Sequence, residues 1–468
     1  MKKLHLVSHT HWDREWYRSF QQFRLRLVHL IDGVLDLLDT DPGFKYFTLD
    51  GQTIVLDDYL AVRPENEVRI RRYVRNGRLV IGPWHILPDE FLVSPEATIR
   101  NLLEGGRTCA RFGPKMHIGY IPDPFGHFGQ MPQILRGFNI DSACVQRGLS
   151  DERCEFWWQA PDGSRVFMAY LRDGYGNAAG LPVDDKQLFT SEVRRLRDSL
   201  LPHSNSNRHI LLMHGTDHME PPVTTSQAIS STQDKLDDYE LVHSTLIKYM
   251  FAVKAELNKS PISTVYGELR DCKRSHLLPG VLSTRMWIKQ RNNHCETTLE
   301  KWVEPFSTFA SLVPQPILPP STVEKQNSII HQSWRMLMEC HPHDSICGCS
   351  IDQVHDEMKV RFDQVDQINE ALIQQNLDLI ATNIKTSPEK TAKNSELMGK
   401  NAPLSALVVF NPHSFVCTNE VDVEVECETA FELVDESGSV IPYQNHSLGS
   451  RQLMNIQLSP RELQQLYV

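Results

Sequence analysis

The stretch HTHWDREW, residues 9–16, places His9, His11, Asp13 and Glu15 at alternate positions directly after the apolar run LHLVS. Alternate side chains of an extended segment leave on one face, so His11 and Asp13 can aim at a single point just past a strand end. Imidazole nitrogen and carboxylate oxygen are donors that suit a divalent metal. A hydrogen-bonded pair and a solvated loop suit the same spacing. A second stretch, IPDPFGHFGQMPQIL, holds Asp123 between Pro122 and Pro124 and offers Gly126 for a tight turn before a helix. A carboxylate fixed that firmly fits a nucleophile or a metal ligand, and a plain turn residue is the competing reading. HGTDHMEP supplies a second carboxylate, Asp217, after a very apolar strand, where a helix N-cap also fits. CHPHDSICGCSID adds His341 and His343 on either side of Pro342, then Asp344. From the loop between two helices, one of those imidazoles can join a shared site, or both can simply be solvated.

These residues need elements to carry them. Over the first 250 residues or so, short β-branched runs alternate with amphipathic segments: LHLVS, FRLRLVHLIDGVLDLLDT, KYFTLD, VRIRRYVRNG, RLVIGPW, TIRNLLEGGRTCARFG, KMHIGYIPD and MPQILRGFN. DSACVQRG, FWWQA, RVFMAYL, HILLMHGTD, a polar helix near TTSQAISSTQDKLDD, and YELVHS continue the series. Such alternation predicts βαβ units and a parallel sheet, with an α/β barrel of about seven strands expected over an open sheet. Ligands of such folds bind beyond the carboxyl ends of the strands. His11, Asp50, Trp84, Asp89, Glu90, Asp123, Arg147 and Asp217 all follow predicted strands. A purely structural barrel does not need that arrangement.

Further on, VEKQNSIIHQSWRMLMEC and a segment from Ile351 to about Ile380 predict helices of a bundle. Ile351, Val354, Met358, Val365, Ile368, Leu372 and Leu379 form the expected seam. The polar stretch TSPEKTAKNSELMGKNAP reads as a linker, and beyond it the period becomes two in ALVVFNP, EVDVEVE and FELVDESGSVIPY, with a turn at Glu436-Ser437-Gly438. The expected organisation is an α/β barrel domain at 1–260, a three-helix bundle at 261–385, a linker at 386–403 and the start of an antiparallel β-sandwich domain at 404–468. Four or five strands are few for a sandwich, so truncation in the C-terminal β region is expected.

Composition narrows the class. A formal charge of −11 argues against nucleic acid or an anionic membrane as the main partner. No apolar run approaches the roughly 18 residues of a membrane span. Ser8 and His9 break the apolar start too early for a signal peptide. Ten cysteines, without paired CxxC motifs, do not read as a disulfide framework, so the cytoplasm is the expected compartment.

Taken in order, HTHWDREW, GYIPDPFGHFGQMPQIL, LMHGTDH, GELR at 267–270 and CHPHDSICGCSID resemble glycoside hydrolase family 38, the α-mannosidases. The likeness is to the bacterial cytoplasmic branch that includes mannosylglycerate hydrolases, and it runs from residue 3 to about 385. It implies one divalent metal, normally zinc, held by His11, Asp13, Asp123 and His343, another divalent cation being the alternative. It implies that Asp123 is also the nucleophile, that Arg147 keeps it ionised, and that Asp217 is the general acid and then the base. Carboxyl groups about 5 Å apart then give retention of configuration. Trp16 matches a tryptophan that stacks on the sugar, and Phe125 lies in the corresponding pocket wall. Trp84 and Asp344 complete the expected substrate-binding set. The surroundings Trp12-Asp13-Arg14-Glu15 depart from animal relatives, which carry Asn, Asp, Pro and Gly there. The implied partner is an α-mannoside, with 2-O-mannosylglycerate or its 6-phospho form as a candidate, and a homo-oligomer is left open. Two alternatives stand beside it: a metal-dependent amidohydrolase or deacetylase on a barrel, and an inactive remnant or carbohydrate-binding subunit.

Overall fold

A computed structural model of the chain describes residues 2–232, 236–258, 260–313, 321–385, 406–424, 431–435, 439–445, 451–458 and 464–467. The predicted linker at 386–403 and the turn at Glu436-Ser437-Gly438 lie outside the described residues. The chain divides into two compact units, one of residues 1–293 with 335–363 and one of 294–334 with 364–468.

The first unit is built on strands β1 (Lys2–Thr10), β2 (Phe47–Leu49), β3 (Leu79–Val80), β4 (Gly119–Ile121), β5 (Ser142–Val145), β6 (Glu155–Gln159), β7 (Arg165–Tyr170), β8 (His209–His214), β9 (Tyr239–His243) and β10 (Thr264–Tyr266). β1 is central. It runs parallel to β8 from Lys3↔His209 to Ser8↔His214, to β9 from Lys2↔Tyr239 to Leu6↔His243, and to β2 at His9↔Thr48. β3 extends this five-stranded sheet beyond β2. Seven of the nine residues of β1 are buried, which is why LHLVS carries no alternation of its own.

The other strands form a second five-stranded sheet in the order β10-β6-β7-β5-β4. Among the described residues no ladder joins the two sheets into a closed ring. The facing edge strands are short, β3 with two residues and β4 with three. All pairs in the second sheet are parallel except β6 with β7, which form an antiparallel hairpin rather than a βαβ unit. Its turn, Pro161-Asp162-Gly163-Ser164, is a local signal for that reversal: Gly163 has φ +88° and its N–H donates to Ala160 O at 3.0 Å.

Helices connect most of the strands. Phe20–Thr40 turns Phe23, Leu27, Leu30, Ile31, Val34 and Leu38 into the core, a 3.6-residue period read directly from the sequence. Pro95–Phe112 starts at Ser94, whose side chain accepts from Ala97 N, and stops before Gly113. Helices Lys186–Leu200 and Leu246–Leu257 lie in stretches where no helix was expected. Full burial of each large aliphatic side chain in these cores stabilises by about 1.5–3 kcal/mol.

Helices Ser321–Met338 and Asp352–Thr382 match the two expected bundle helices. In the longer one the buried stripe is Val354, Met358, Phe362, Val365, Asn369, Leu372, Asn376 and Ile380. Ile351 is exposed and Ile368 and Leu379 are half-buried, so the stripe runs partly through asparagines that a hydrophobic search passes over. Asn369 Oδ1 accepts from Ser333 Oγ at 2.9 Å. In the second unit, β11 (Ala406–Val409) pairs with β15 (Gln464–Tyr467), and β14 (Arg451–Leu458) lies between β12 (Cys417–Glu424) and β13 (Tyr443–Asn445), all antiparallel. Among the described residues no helix is long and apolar enough to cross a membrane.

Candidate metal centre and active site

The residue after β1 is locked to the residue beyond β8. His11 N donates to Thr216 O at 3.2 Å and His218 N donates to His11 O at 2.8 Å, a one-residue parallel bridge that sets His11 beside Asp217. Gly215 makes the approach possible, because a Cβ there would lie 1.8 Å from His9 O. Asp123 leaves β4 through its proline pair, and Gly126 takes φ +111°, a conformation other residues rarely adopt. His343 comes from the other end of the sequence. Its N–H donates to Leu87 O at 3.2 Å while Asp89 N donates to His341 O at 3.2 Å, so Pro342 pairs antiparallel with Pro88 in the loop after β3.

These loops bring four side chains to one point. His11 Nε2 lies 3.2 Å from Asp13 Oδ1, and His343 Nε2 lies 3.5 Å from Asp13 Oδ1 and 3.3 Å from Asp123 Oδ2. Asp344 Oδ2 is 3.7 Å from His343 Nε2. His11, Asp13 and His343 are 1%, 5% and 2% exposed, and His11 Nε2, Asp13 Oδ1 and His343 Nε2 have no hydrogen-bond partner of acceptable geometry. Buried polar atoms normally have one. Donors placed about 2.05 Å from a tetrahedral zinc are separated by about 3.3 Å, the spacing seen here. The residues present therefore fit a divalent ion.

Charge balance points the same way. Burial pulls the His343 imidazole down, but Asp344, Asp123 and Asp13 outweigh it and lift its pKa to about 9. Burial, aided by Asp13 and Asp123, pushes Asp344 up to about 7 against the pull of His343. Burial alone would raise Asp123 too, yet His343 and Arg147 hold it below the usual carboxylate range. A pocket that stabilises protonated imidazole so strongly is one that favours a cation.

Around the cluster, Arg147 Nε donates to Asp123 Oδ1 at 3.0 Å and to Asp123 O at 2.9 Å, and its Nη2 also reaches Oδ1. Phe125 lies under the Arg147 guanidinium and edge-on to His343 at 5.7 Å. Asp217 Oδ1 accepts from Tyr175 Oη at 2.8 Å, and the Tyr175 ring packs 5.1 Å from that of His11. Trp16 is half-buried at the edge of the core cluster containing Trp12 and Phe23. Trp84, expected at the substrate, is instead 1% exposed and packs with Leu87, Leu102, Ile121 and Met131. The apolar run before it continues into the core and carries the ring with it.

Three further side chains, none assigned a role from the sequence, support the cluster. Asp50, fully buried, faces His11 Nδ1 at 3.1 Å and accepts from Trp12 N at 2.8 Å and Gln52 Nε2 at 2.7 Å. The proton this places on Nδ1 leaves the Nε2 lone pair directed at the cluster. His218 Nε2 accepts from Asp13 N at 3.2 Å while Phe23 stacks on its ring at 4.2 Å. Tyr175 is the third. Asp50 is visible in the sequence only as an acid at a strand end, and nothing in DGYGN marks Tyr175.

An α/β unit with a buried nitrogen–carboxylate cluster at the carboxyl ends of its strands defines a class, and the comparisons name it. Residues 1–268 match the model of the glycosyl hydrolases family 38 N-terminal domain, and residues 276–380 match the alpha mannosidase middle domain. The chain belongs to glycoside hydrolase family 38. It is 40% identical over 407 residues to the "Putative mannosylglycerate hydrolase" of Halalkalibacterium halodurans, covering 82% of this chain and 43% of that protein. It is 24% identical over 378 residues to the human "Alpha-mannosidase 2C1", covering 77% of this chain and 33% of that one. Among solved structures, an alpha-mannosidase from Enterococcus faecalis V583 superposes with TM-score 0.84 at 30% identity, over 100% of this chain and 54% of the other. The chain thus spans about half the length, or less, of the relatives it matches.

Proposed function

We propose that this chain carries the catalytic region of a retaining, zinc-dependent α-mannosidase, with mannosylglycerate or its 6-phospho form as the leading natural substrate. The observation that carries the reading is the buried cluster in which Asp13 Oδ1 lies 3.2 Å from His11 Nε2 and 3.5 Å from His343 Nε2, all three atoms without an acceptable hydrogen-bond partner, with Asp123 Oδ2 3.3 Å from His343 Nε2. Bound there, zinc would supply a Lewis-acidic contact for sugar hydroxyls next to the anomeric carbon. Asp123, kept ionised by Arg147, attacks that carbon, and its carbon–oxygen bond forms as the bond to the leaving group breaks. Asp217 gives its proton to the leaving oxygen, then takes one from the water that hydrolyses the ester, restoring both carboxyl groups with net retention. Asp344, Phe125 and Trp16 contact the sugar.

The name of the 40%-identical relative supports the choice of aglycone. Residues 1–260 are assigned as the catalytic α/β domain, the two sheets forming the walls of its barrel. Residues 261–385 are the middle helical domain, and 404–468 begin a β-rich region that completes as a sandwich. The cysteines of the described residues are all free thiols, most of them buried, which supports a reducing compartment such as the cytoplasm. Family membership sets aside the amidohydrolase and deacetylase alternative.

The test is hydrolysis of aryl α-mannosides, mannosylglycerate and its 6-phosphate by the metal-loaded protein. Asp123→Ala and Asp217→Ala should each abolish cleavage while the fold persists. Near-normal activity in either variant refutes the assigned roles, and a wild type that binds mannosides without cleaving them favours the binding-subunit reading.

A further inference from the structure

Arg14 and Glu15 turn away from the cluster that their neighbour Asp13 enters. Arg14 gives Nε and Nη2 to Asp58 at 2.8 and 3.1 Å and Nη1 to Glu339 at 3.3 Å. Glu15, 0% exposed, accepts Arg361 Nη2 on both oxygens at 2.8 Å and Ser345 Oγ at 2.9 Å. Arg361 Nη1 in turn donates to Glu339 O at 2.6 Å. The result is two largely buried groups, Asp58–Arg14–Glu339 and Arg361–Glu15–Ser345, joined through the backbone carbonyl of Glu339. Two members of the second group sit two residues from a cluster side chain, Glu15 from Asp13 and Ser345 from His343.

We propose that Glu15 is a positioning residue of the metal centre: with Arg361 and Ser345 it clamps the loop carrying His343 against the end of β1, fixing the separation between Asp13 and His343. The inference rests on the metal reading above. The loop at 341–343 is held on one side by its backbone pairing with Leu87 and Asp89, and the Glu15 clamp holds it on the other. Charge-assisted bonds of this kind are short and directional, so they transmit a defined geometry where one neutral contact leaves play. A metal needs that definition, because its donors must meet at fixed lengths.

The test compares Glu15→Gln with wild type by chelator competition for zinc, by the visible absorption of the cobalt(II)-loaded protein, and by melting with and without metal. The expected result is a dissociation constant for zinc raised about tenfold or more, the size of effect seen for residues that orient metal ligands. The cobalt band should shift, and the rise in melting temperature on adding metal should shrink. Ser345→Ala, which removes only a hydroxyl, should act in the same direction by a few-fold, and it decides the matter if Glu15→Gln does not fold. Glu155→Gln is the control: that carboxylate is equally buried, held by Ser204, Asn205 and Tyr249, and should lower the melting temperature without changing metal affinity.

The clamp is overturned if Glu15→Gln melts lower by the same amount with and without metal while its zinc affinity stays within about twofold and the cobalt spectrum is unchanged. In the Ser345→Ala arm, unchanged affinity overturns it as well. A wild type that takes up neither zinc nor cobalt overturns the metal reading first, and the clamp with it.

Discussion

Asp50→Asn isolates one hydrogen-bond pattern beneath the proposed metal centre. Asp50 has φ +48°, a conformation that asparagine tolerates about as well as aspartate, so the backbone has no reason to move. Its two oxygens face three groups: His11 Nδ1 on Oδ1, and Trp12 N and Gln52 Nε2 on Oδ2. Asparagine retains two of those contacts if its oxygen takes the Oδ2 position, which puts its NH2 against His11 Nδ1. The imidazole must then accept at Nδ1 and carry its proton on Nε2, the atom aimed at Asp13 and the cluster. A proton there blocks metal ligation, and moving it away costs the energy of the disfavoured tautomer. Loss of such orienting partners weakens metal binding about 10- to 100-fold, or about 1.4–2.7 kcal/mol. Zinc affinity by chelator competition, with melting of the metal-free protein as the fold control, checks this. Affinity within about twofold of wild type would refute the argument that Asp50 sets the His11 tautomer.

Three further outcomes are expected. Tyr175→Phe removes the hydroxyl that donates to Asp217 at 2.8 Å, so cleavage of mannosides with poor leaving groups should fall while dinitrophenyl mannoside, which needs little acid assistance, is spared; equal loss on both would show that Tyr175 does not act through the acid. Gly215→Ala would set a Cβ 1.8 Å from His9 O, so denaturant unfolding should show a loss of at least about 1–3 kcal/mol, and a change under about 0.5 kcal/mol would refute the close-approach argument. Burial pushes His5 and His243 down to about 3, so below about pH 6.5 the unfolded chain holds protons that the native chain does not, and stability falls as pH drops from there toward 3. His243→Gln lacks one such group, so its stability deficit against wild type should narrow between pH 7 and 4; a constant deficit refutes the assignment.

Much of the site was legible because it rests on local rules. A two-residue period put His11 and Asp13 on one face, and they do converge. His9 shares that period, yet both its ring nitrogens are buried without acceptable hydrogen-bond partners, and it takes no part in the cluster distances. Two prolines marked Asp123 as rigid, and strand-end placement marked Asp50 and Asp217. What escaped depends on pairing across distance. Nothing near Glu15 predicts Arg361, 346 positions later, and nothing near His11 predicts Tyr175. Trp84 lies buried in a core cluster, a placement the sequence does not reveal, because a strand end facing a site and one continuing into the core look alike. The antiparallel β6–β7 pair was announced by its Asp-Gly turn, but the surrounding alternation of strands and helices masked it.

The pairing of Pro342 with Pro88 also bears on the order in which the molecule is assembled. A ribosome emits His11, Asp13 and Asp123 long before His343, and the Glu15–Ser345 contact bridges 330 positions. Closing a loop of that length costs about 5 kcal/mol of chain entropy before any contact offsets it. The four proposed donors therefore come together only once His343 docks. On the zinc reading proposed above, the complete donor set is a product of folding rather than a feature of the emerging chain.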